Sequence, residues 1–304
     1  MKIVVVGAGA IGGLFGSFLH KNGEDVTLVD IWEEHVKTIQ STGLKIIRQS
    51  GDALFDMKVT TKIEEVGTPD LIIMAVKSYD TEKASRDCLS IVGPDTMVLT
   101  VQNGVGNIDI IGEVLGRNRI LAGTTAFGST ILGPGEIRPS ETGSITIGEL
   151  DGTITPRLQQ VVETFSGAGI EMHVSQNVDS LTWTKLMVNV GINALTAITM
   201  LSNGQLLDHE ETKKLQDMVV NEGIAVAEAK GIKFLYEDPL QHVRDVALST
   251  YGNKSSMRQD VERGAKTEVD FINGTIVREG KKLGVATPVN EVLTLLIKTI
   301  EKRR

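Results

Sequence analysis

The sequence predicts an α/β chain in two parts, a doubly wound parallel sheet followed by an all-helical half. Three observations predict it. A strand, a glycine-rich turn, a helix and a second strand open the chain in "KIVVVGAGAIGGLFGSFLHKNGEDVTLVD"; strand-length apolar runs then alternate with helical patterns; and after "EMHVSQNV" helical periodicity takes over with almost no strand signal. The expected boundary divides residues 1–177 from residues 178–304.

The opening unit is specific because of its context. Gly7, Gly9 and Gly12 fit G-x-G-x-x-G, which supplies a tight turn, room for backbone to approach a pyrophosphate, and close helix–strand packing. The turn follows a buried strand, opens a helix, and is followed 18 positions after Gly12 by an acid at a strand end, Asp30. That pattern is the fingerprint of a Rossmann dinucleotide-binding domain for NAD(P)H. A pyrophosphate would rest on the helix N-terminus, over Gly7, Gly9, Ala10, Ile11 and Gly12.

Downstream, "GLKIIRQSGDALFDMKVTT" reads as a hairpin turning at residues 50–52, and "PDLIIMAVKSYDT" as a buried strand ending at Lys77. "DTMVLTVQNGVGN" gives a core strand finishing in Gln102, Asn103 and Gly104, and the short strands over residues 120–150 suggest an antiparallel sheet edge. Ligands of doubly wound sheets bind beyond the carboxyl ends of the strands, where Lys77 and Asn103 lie. Each also has a plain reading, Lys77 as a loop charge and Asn103 as the Asn-Gly of a turn.

The helical half opens with "WTKLMVNVGINALTA". Between Ser180 and Gly204 the only ionisable side chain is Lys185, with Asn189 and Asn193 following at four-residue steps. At about 100° per residue, Thr182, Lys185, Asn189, Asn193 and Thr196 share a sector of roughly 80°, and Trp183, Met187, Val190, Ala194, Ala197 and Ile198 gather opposite. A narrow polar line on an otherwise apolar helix is aimed at something specific, although a lysine reaching water along its stem is the ordinary alternative. The helix that carries this line is expected over residues 179–202, and further helices over residues 210–230, 237–249, 256–263, 267–283 and 288–302. Ser256 with Gln259 matches a capping box, and Glu268 and Asp270 are placed to begin the next helix, where acids are favoured. A sheet domain joined to a helical one usually forms a ligand cleft with contributions from both.

Composition narrows the classes of partner. The 304 residues are 41% hydrophobic and 23% charged with a formal net charge of −8, which disfavours sequence-independent binding to nucleic acid or to anionic membrane. Cys88 is the only cysteine, so no intrachain disulfide and no metal-ligand spacing is expected. No apolar run is long enough to span a bilayer, and the first strand begins at residue 3 without a charged leader, so a cytoplasmic protein is expected.

"GAGAIGG", "AVKSYDT", "VQNGVGN", "WTKLMVNVGINALTA" and "SSMRQDVERGAKTEVDFINGTIV", in this order, resemble ketopantoate reductase, the 2-dehydropantoate 2-reductase family, over essentially the whole chain. The Lys-x3-Asn-x3-Asn helix and the Ser-Ser-Met to Asn-Gly segment are far more specific than the glycine fingerprint. The resemblance implies reduction of 2-dehydropantoate to (R)-pantoate with NADPH, on the route to pantothenate and coenzyme A. It implies Lys185 as general acid, Asn103 in the active site, Lys77 beside the cofactor, and Asn189, Asn193, Ser256 and Glu268 as substrate contacts. The residue types suit the chemistry: hydride addition to a 2-keto acid leaves an alkoxide that needs a proton, and its carboxylate and hydroxyl need fixed polar partners. An NAD-dependent D-2-hydroxyacid dehydrogenase of the same fold and a non-catalytic dinucleotide-binding regulator are the alternatives, and a homodimer is compatible with all three.

One departure from the family pattern concerns the cofactor. NADPH-using members typically carry a basic residue just after the second strand, whereas "VTLVDIWEEHV" offers Asp30, Glu33 and Glu34. A carboxylate suits two ribose hydroxyls and repels a 2′-phosphate, by roughly 4 kcal/mol at 4 Å and an effective dielectric of 20 before screening. NADH is therefore expected to be preferred, with Lys37 the one nearby cation able to soften the effect.

Overall fold

The computed structural model describes residues 1–48, 51–140 and 142–303. Its contacts divide the chain into two units, Met1–Gln102 with Asn107–Val178, and Asn103–Gly106 with Asp179–Arg304.

The first unit begins β1 (Lys2–Val6), α1 (Ala10–Lys21), β2 (Asp25–Val29), α2 (Glu33–Thr42), β3 (Leu44–Ile46), β4 (Ala53–Phe55), β5 (Lys58–Thr60) and β6 (Leu71–Met74). It continues through α3 (Thr81–Cys88), β7 (Met97–Thr100), α4 (Asn107–Ile111), β8 (Ile120–Thr125), β9 (Ser129–Gly133), β10 (Glu136–Pro139), β11 (Ser144–Glu149), α5 (Pro156–Gly167) and β12 (Glu171–Val174). The main sheet runs β12-β11-β8-β7-β6-β1-β2-β5. From β5 to β8 the pairings are parallel; β11 turns antiparallel against β8, and β12 lies parallel to β11. The strand order reverses between β1 and β6, which makes the carboxyl ends of those two strands the switch point.

Both faces of this sheet are covered, so its strands read as unbroken apolar runs. Along β1, Ile3 and Val5 join one core with Leu14, Phe15 and Phe165, while Val4 and Val6 join the other with Ile72, Met74 and Ile120.

The expected hairpin forms, with Leu44 opposite Phe55 and Ile46 opposite Ala53; Ser50 of its turn lies outside the described residues. Two features depart from the expectation. β5 leaves the hairpin to pair with β2, and β9 and β10 belong to a second sheet of order β4-β3-β10-β9 rather than to the edge of the first. The short strands over residues 120–150 therefore divide between two sheets, because the β3–β10 pairing joins Lys45 to Glu136 across a separation that no local pattern encodes.

The second unit is helical: α6 (Val178–Thr199), α7 (Glu210–Ala229), α8 (Pro239–Ser249), α9 (Ser256–Arg263), α10 (Asn273–Leu283) and α11 (Pro288–Lys302). Trp183, Met187, Val190, Ala194 and Ala197 of α6 are each 2% exposed or less and form its core with Val219, Val220 and Ile276. α6 stops at Thr199, three residues short of the expected 202, where Met200 takes φ 61° and sends its N–H to the Thr196 carbonyl at 2.9 Å. The single helix expected over 267–283 is instead a 3₁₀ turn, Val269–Phe271, followed by α10. No helix among the described residues is long and apolar enough to cross a membrane.

Candidate active site

In the first unit the glycine turn is shaped by contacts that exclude side chains. A Cβ on Gly7, whose φ is 99°, would stand 2.7 Å from the Val76 nitrogen, two residues beyond β6, and one on Gly12 would stand 1.9 Å from the Gly7 carbonyl oxygen. Gly9 differs. A Cβ there would meet only the Ile131 Cδ1, at 3.6 Å, so the protein itself does not demand glycine and the open space suits a ligand. Gly9 is also the N-cap of α1, and no side chain caps that helix, which leaves its first N–H groups to an anion. Gly7, Gly9, Ala10, Ile11 and Gly12 thus fit a dinucleotide pyrophosphate.

Asp30 follows β2, and its carboxylate is already oriented by backbone donors. Oδ2 accepts from the Ala8 N–H at 2.7 Å and Oδ1 from the Trp32 N–H at 2.9 Å. A carboxylate oxygen has a second lone pair, so two acceptor positions remain for ribose hydroxyls. Lys37 is paired with Glu33 at 2.9 Å, one turn away on α2.

Lys77 precedes a 3₁₀ turn, Ser78–Asp80, and Asn103 follows β7. A polar network that sequence reasoning missed ties together the backbone beside each. The Gln102 Nε2 donates to the Val76 carbonyl at 2.8 Å and to the Thr81 hydroxyl at 2.9 Å; Thr81 donates to the Asn107 Oδ1 at 3.0 Å, and the Asn107 Nδ2 to the Ser78 hydroxyl at 3.1 Å. The placement of Gln102 immediately after a buried strand is its only sequence signal.

In the second unit the Asn103–Gly106 segment is anchored on the 3₁₀ turn that follows Glu268. The Val105 N–H donates to the Phe271 carbonyl at 3.1 Å, and the Thr275 hydroxyl donates to the Val105 carbonyl at 3.3 Å. Gly104 takes φ 82° and a Cβ there would be 2.4 Å from the Phe271 oxygen, so only glycine allows the approach. This docking accounts for the break in the expected 267–283 helix: the Phe271 carbonyl is turned to receive another segment. It also corrects the expectation for Glu268, which does not begin a long helix but occupies the position just before the short turn, 6% exposed.

Along α6 the polar stripe deepens. Thr182, Lys185 and Asn189 are half-buried, Asn193 is buried, and Thr196 is fully enclosed. Desolvation pulls the Lys185 ammonium from its ordinary value of 10.5 down to about 8, with the Glu268 carboxylate opposing that shift. The structure therefore brings Lys185 and Glu268 into one electrostatic environment. The Nδ2 atoms of Asn189 and Asn193 are buried donors with no partner. A buried amide donor left unmet costs on the order of 1–3 kcal/mol, and two on one line are available to the oxygen acceptors of a ligand.

The cap of α9 is a correction. Ser255, not Ser256, is the N-cap; its hydroxyl accepts from the Arg258 N–H at 3.1 Å and bonds the Thr196 hydroxyl at 2.7 Å, and Gln259 donates instead to the Lys254 carbonyl. The deciding contact is Thr196, which lies 59 residues earlier in the chain. Ser256 is left at the first helical position beside the lower end of the stripe. Ser255→Ala is accordingly expected to cost about 1 kcal/mol or more in a denaturation series. Ser256→Ala should leave stability within about 0.5 kcal/mol.

Elsewhere, a shallow cavity of about 350 Å³ beside α2 is lined by Glu33, Lys37, Gln40, Lys62 and Glu65 among others. Its lysines are already paired with Glu33 and Glu65, and no predicted site residue lines it.

A doubly wound sheet with a glycine turn at its switch point, together with a helical unit carrying a desolvated lysine, two unmet amides and a carboxylate, defines the class of dinucleotide-dependent oxidoreductases. Comparison with known proteins gives the family. Residues 3–152 match the Ketopantoate reductase PanE/ApbA model and residues 177–301 match its C-terminal counterpart, and the chain belongs to this family. It is 35% identical over 303 residues to a 2-dehydropantoate 2-reductase of Halobacterium salinarum, covering 99% of both chains. Among solved structures it is similar to a PanE/ApbA family ketopantoate reductase from Ralstonia eutropha, with TM-score 0.92, 34% identity and coverage of 100% of this chain and 99% of the other. It is also similar to D-mandelate dehydrogenase solved with NADH and anilino(oxo)acetate, with TM-score 0.95, 32% identity and the same coverage.

Proposed function

We propose that the protein reduces 2-dehydropantoate to (R)-pantoate. The observation that carries this reading is the stripe on α6, where a lysine brought down to about 8 shares its surroundings with Glu268 and lies on the same line as two unmet amide donors. When bound, NAD(P)H supplies the hydride for the keto carbon. The oxygen of that carbonyl then holds the electron pair of the broken π bond, and Lys185 transfers a proton to it, leaving a hydroxyl and a neutral amine. Asn189 and Asn193 donate to substrate oxygens, Ser256 adds a hydroxyl donor, Glu268 accepts from the substrate's remote hydroxyl, and Asn103 orients the reacting carbonyl. Lys77 stands on the cofactor side, after β6. The compartment consistent with this reading is the cytoplasm.

Likeness to D-mandelate dehydrogenase supports a second reading, an NAD-dependent D-2-hydroxyacid dehydrogenase acting on another 2-keto acid. Purified protein mixed with NADH or NADPH and a panel of 2-keto acids separates the two. Fastest loss of nicotinamide absorbance with 2-dehydropantoate supports the first, and a preference for aryl or branched keto acids sinks it.

The cofactor itself is proposed to be NADH. Asp30 directly follows β2, where a carboxylate suits two ribose hydroxyls and repels a 2′-phosphate, and Lys37 is paired with Glu33. We expect kcat/KM for NADH to exceed that for NADPH by about tenfold or more. Combining Asp30→Ser with Ile31→Arg should shift the ratio toward NADPH; a wild-type enzyme that already favours NADPH tenfold would overturn the assignment.

A further inference from the structure

We infer that His35 is a positioning residue for the pyrophosphate turn, acting with Asp30 as a clamp on both backbone groups of Ala8. His35 is fully buried on α2. The Gly135 N–H donates to its Nδ1 at 3.0 Å, which makes Nδ1 the acceptor and leaves the ring proton on Nε2, 3.0 Å from the Ala8 carbonyl oxygen. The imidazole therefore donates to Ala8, while the Ala8 N–H donates to Asp30 at 2.7 Å. Ala8 lies between Gly7 and Gly9, so the peptide planes on either side of it set the direction of the N–H groups offered to a phosphate.

The clamp has a rigid base. Gly135 occupies the turn between β9 and β10, and its carbonyl accepts from the Lys45 N–H of β3 at 2.8 Å, so His35 ties the glycine turn to the second sheet. The Trp32 ring stacks on the imidazole, with centroids 5.0 Å apart and planes 10° from parallel, which fixes its tilt. A flexible glycine turn loses conformational freedom when it orders around a ligand, and a turn already held in shape loses less. The inference rests on the reading of this turn as a dinucleotide site, and it goes beyond that reading by assigning cofactor affinity to a residue that does not touch the cofactor.

The test compares His35→Gln, which retains a donor near the position of Nε2, with His35→Asn, which retains only an acceptor near Nδ1. NADH dissociation constants are measured by titration for both variants and for wild type, with amide hydrogen exchange over residues 7–11 of the cofactor-free protein. His35→Asn should weaken NADH binding about tenfold, the scale of one buried hydrogen bond left unmade, and speed exchange in the turn. His35→Gln should bind within about threefold of wild type, and kcat at saturating NADH should stay within about twofold for both. Wild type that binds neither NADH nor NADPH overturns the dinucleotide reading and the inference with it. Wild type that binds, with equal affinity in the two variants or with exchange in the turn unchanged, overturns the inference alone.

Discussion

Replacing Lys185 with alanine is expected to lower kcat by about 10²- to 10⁴-fold, the range for removal of a positioned general acid, with the far-ultraviolet circular dichroism unchanged. Turnover near the wild-type rate would eliminate the mechanism. The wild-type pH profile provides an independent check. Burial takes the ammonium down to about 8, so kcat/KM should fall as pH rises through about 8 rather than through the ordinary lysine value of 10.5. Stability should move the other way. Between about 8 and 10.5 the folded state holds this proton less readily than the unfolded chain, so folding gains as pH rises through that window. Comparing the pH dependence of unfolding in wild type and Lys185→Met isolates that contribution. A difference that is flat between pH 8 and 10.5 would mean that the amine is not desolvated.

Glu268→Ala is the second large effect. On 2-dehydropantoate, kcat/KM should drop by on the order of 10²-fold or more, because the remote hydroxyl loses its acceptor, whereas a 2-keto acid without that hydroxyl should lose only a few-fold. Equal losses on both substrates would reassign the carboxylate to supporting the turn at residues 269–271. The same variant carries a second signature. The Glu268 charge holds the Lys185 ammonium up against desolvation, so removing it should move the alkaline limb of the rate profile below its wild-type position. A limb that does not move would separate Glu268 from the lysine altogether.

What the sequence determined by itself is whatever repeats within one element or one turn. The glycine spacing at Gly7, Gly9 and Gly12, the acid at Asp30, the buried runs of β1, β6 and β7, and the four-residue steps from Lys185 to Asn193 are all set by helical or strand period and by local turn chemistry, and each is legible in a short window. Tertiary structure decided what depends on a partner far along the chain. Ser255 rather than Ser256 caps α9 because Thr196 meets it; the expected helix at 267–283 breaks because Val105 takes the Phe271 carbonyl; β10 leaves the main sheet because β3 pairs with it. His35 gave no sequence signal as part of the glycine turn because Gly135, which fixes its tautomer, stands 100 residues away. The depth of Lys185 is of the same kind: helical period places it on a polar stripe, but only the packing around α6 removes enough water to bring its proton within reach of neutral pH.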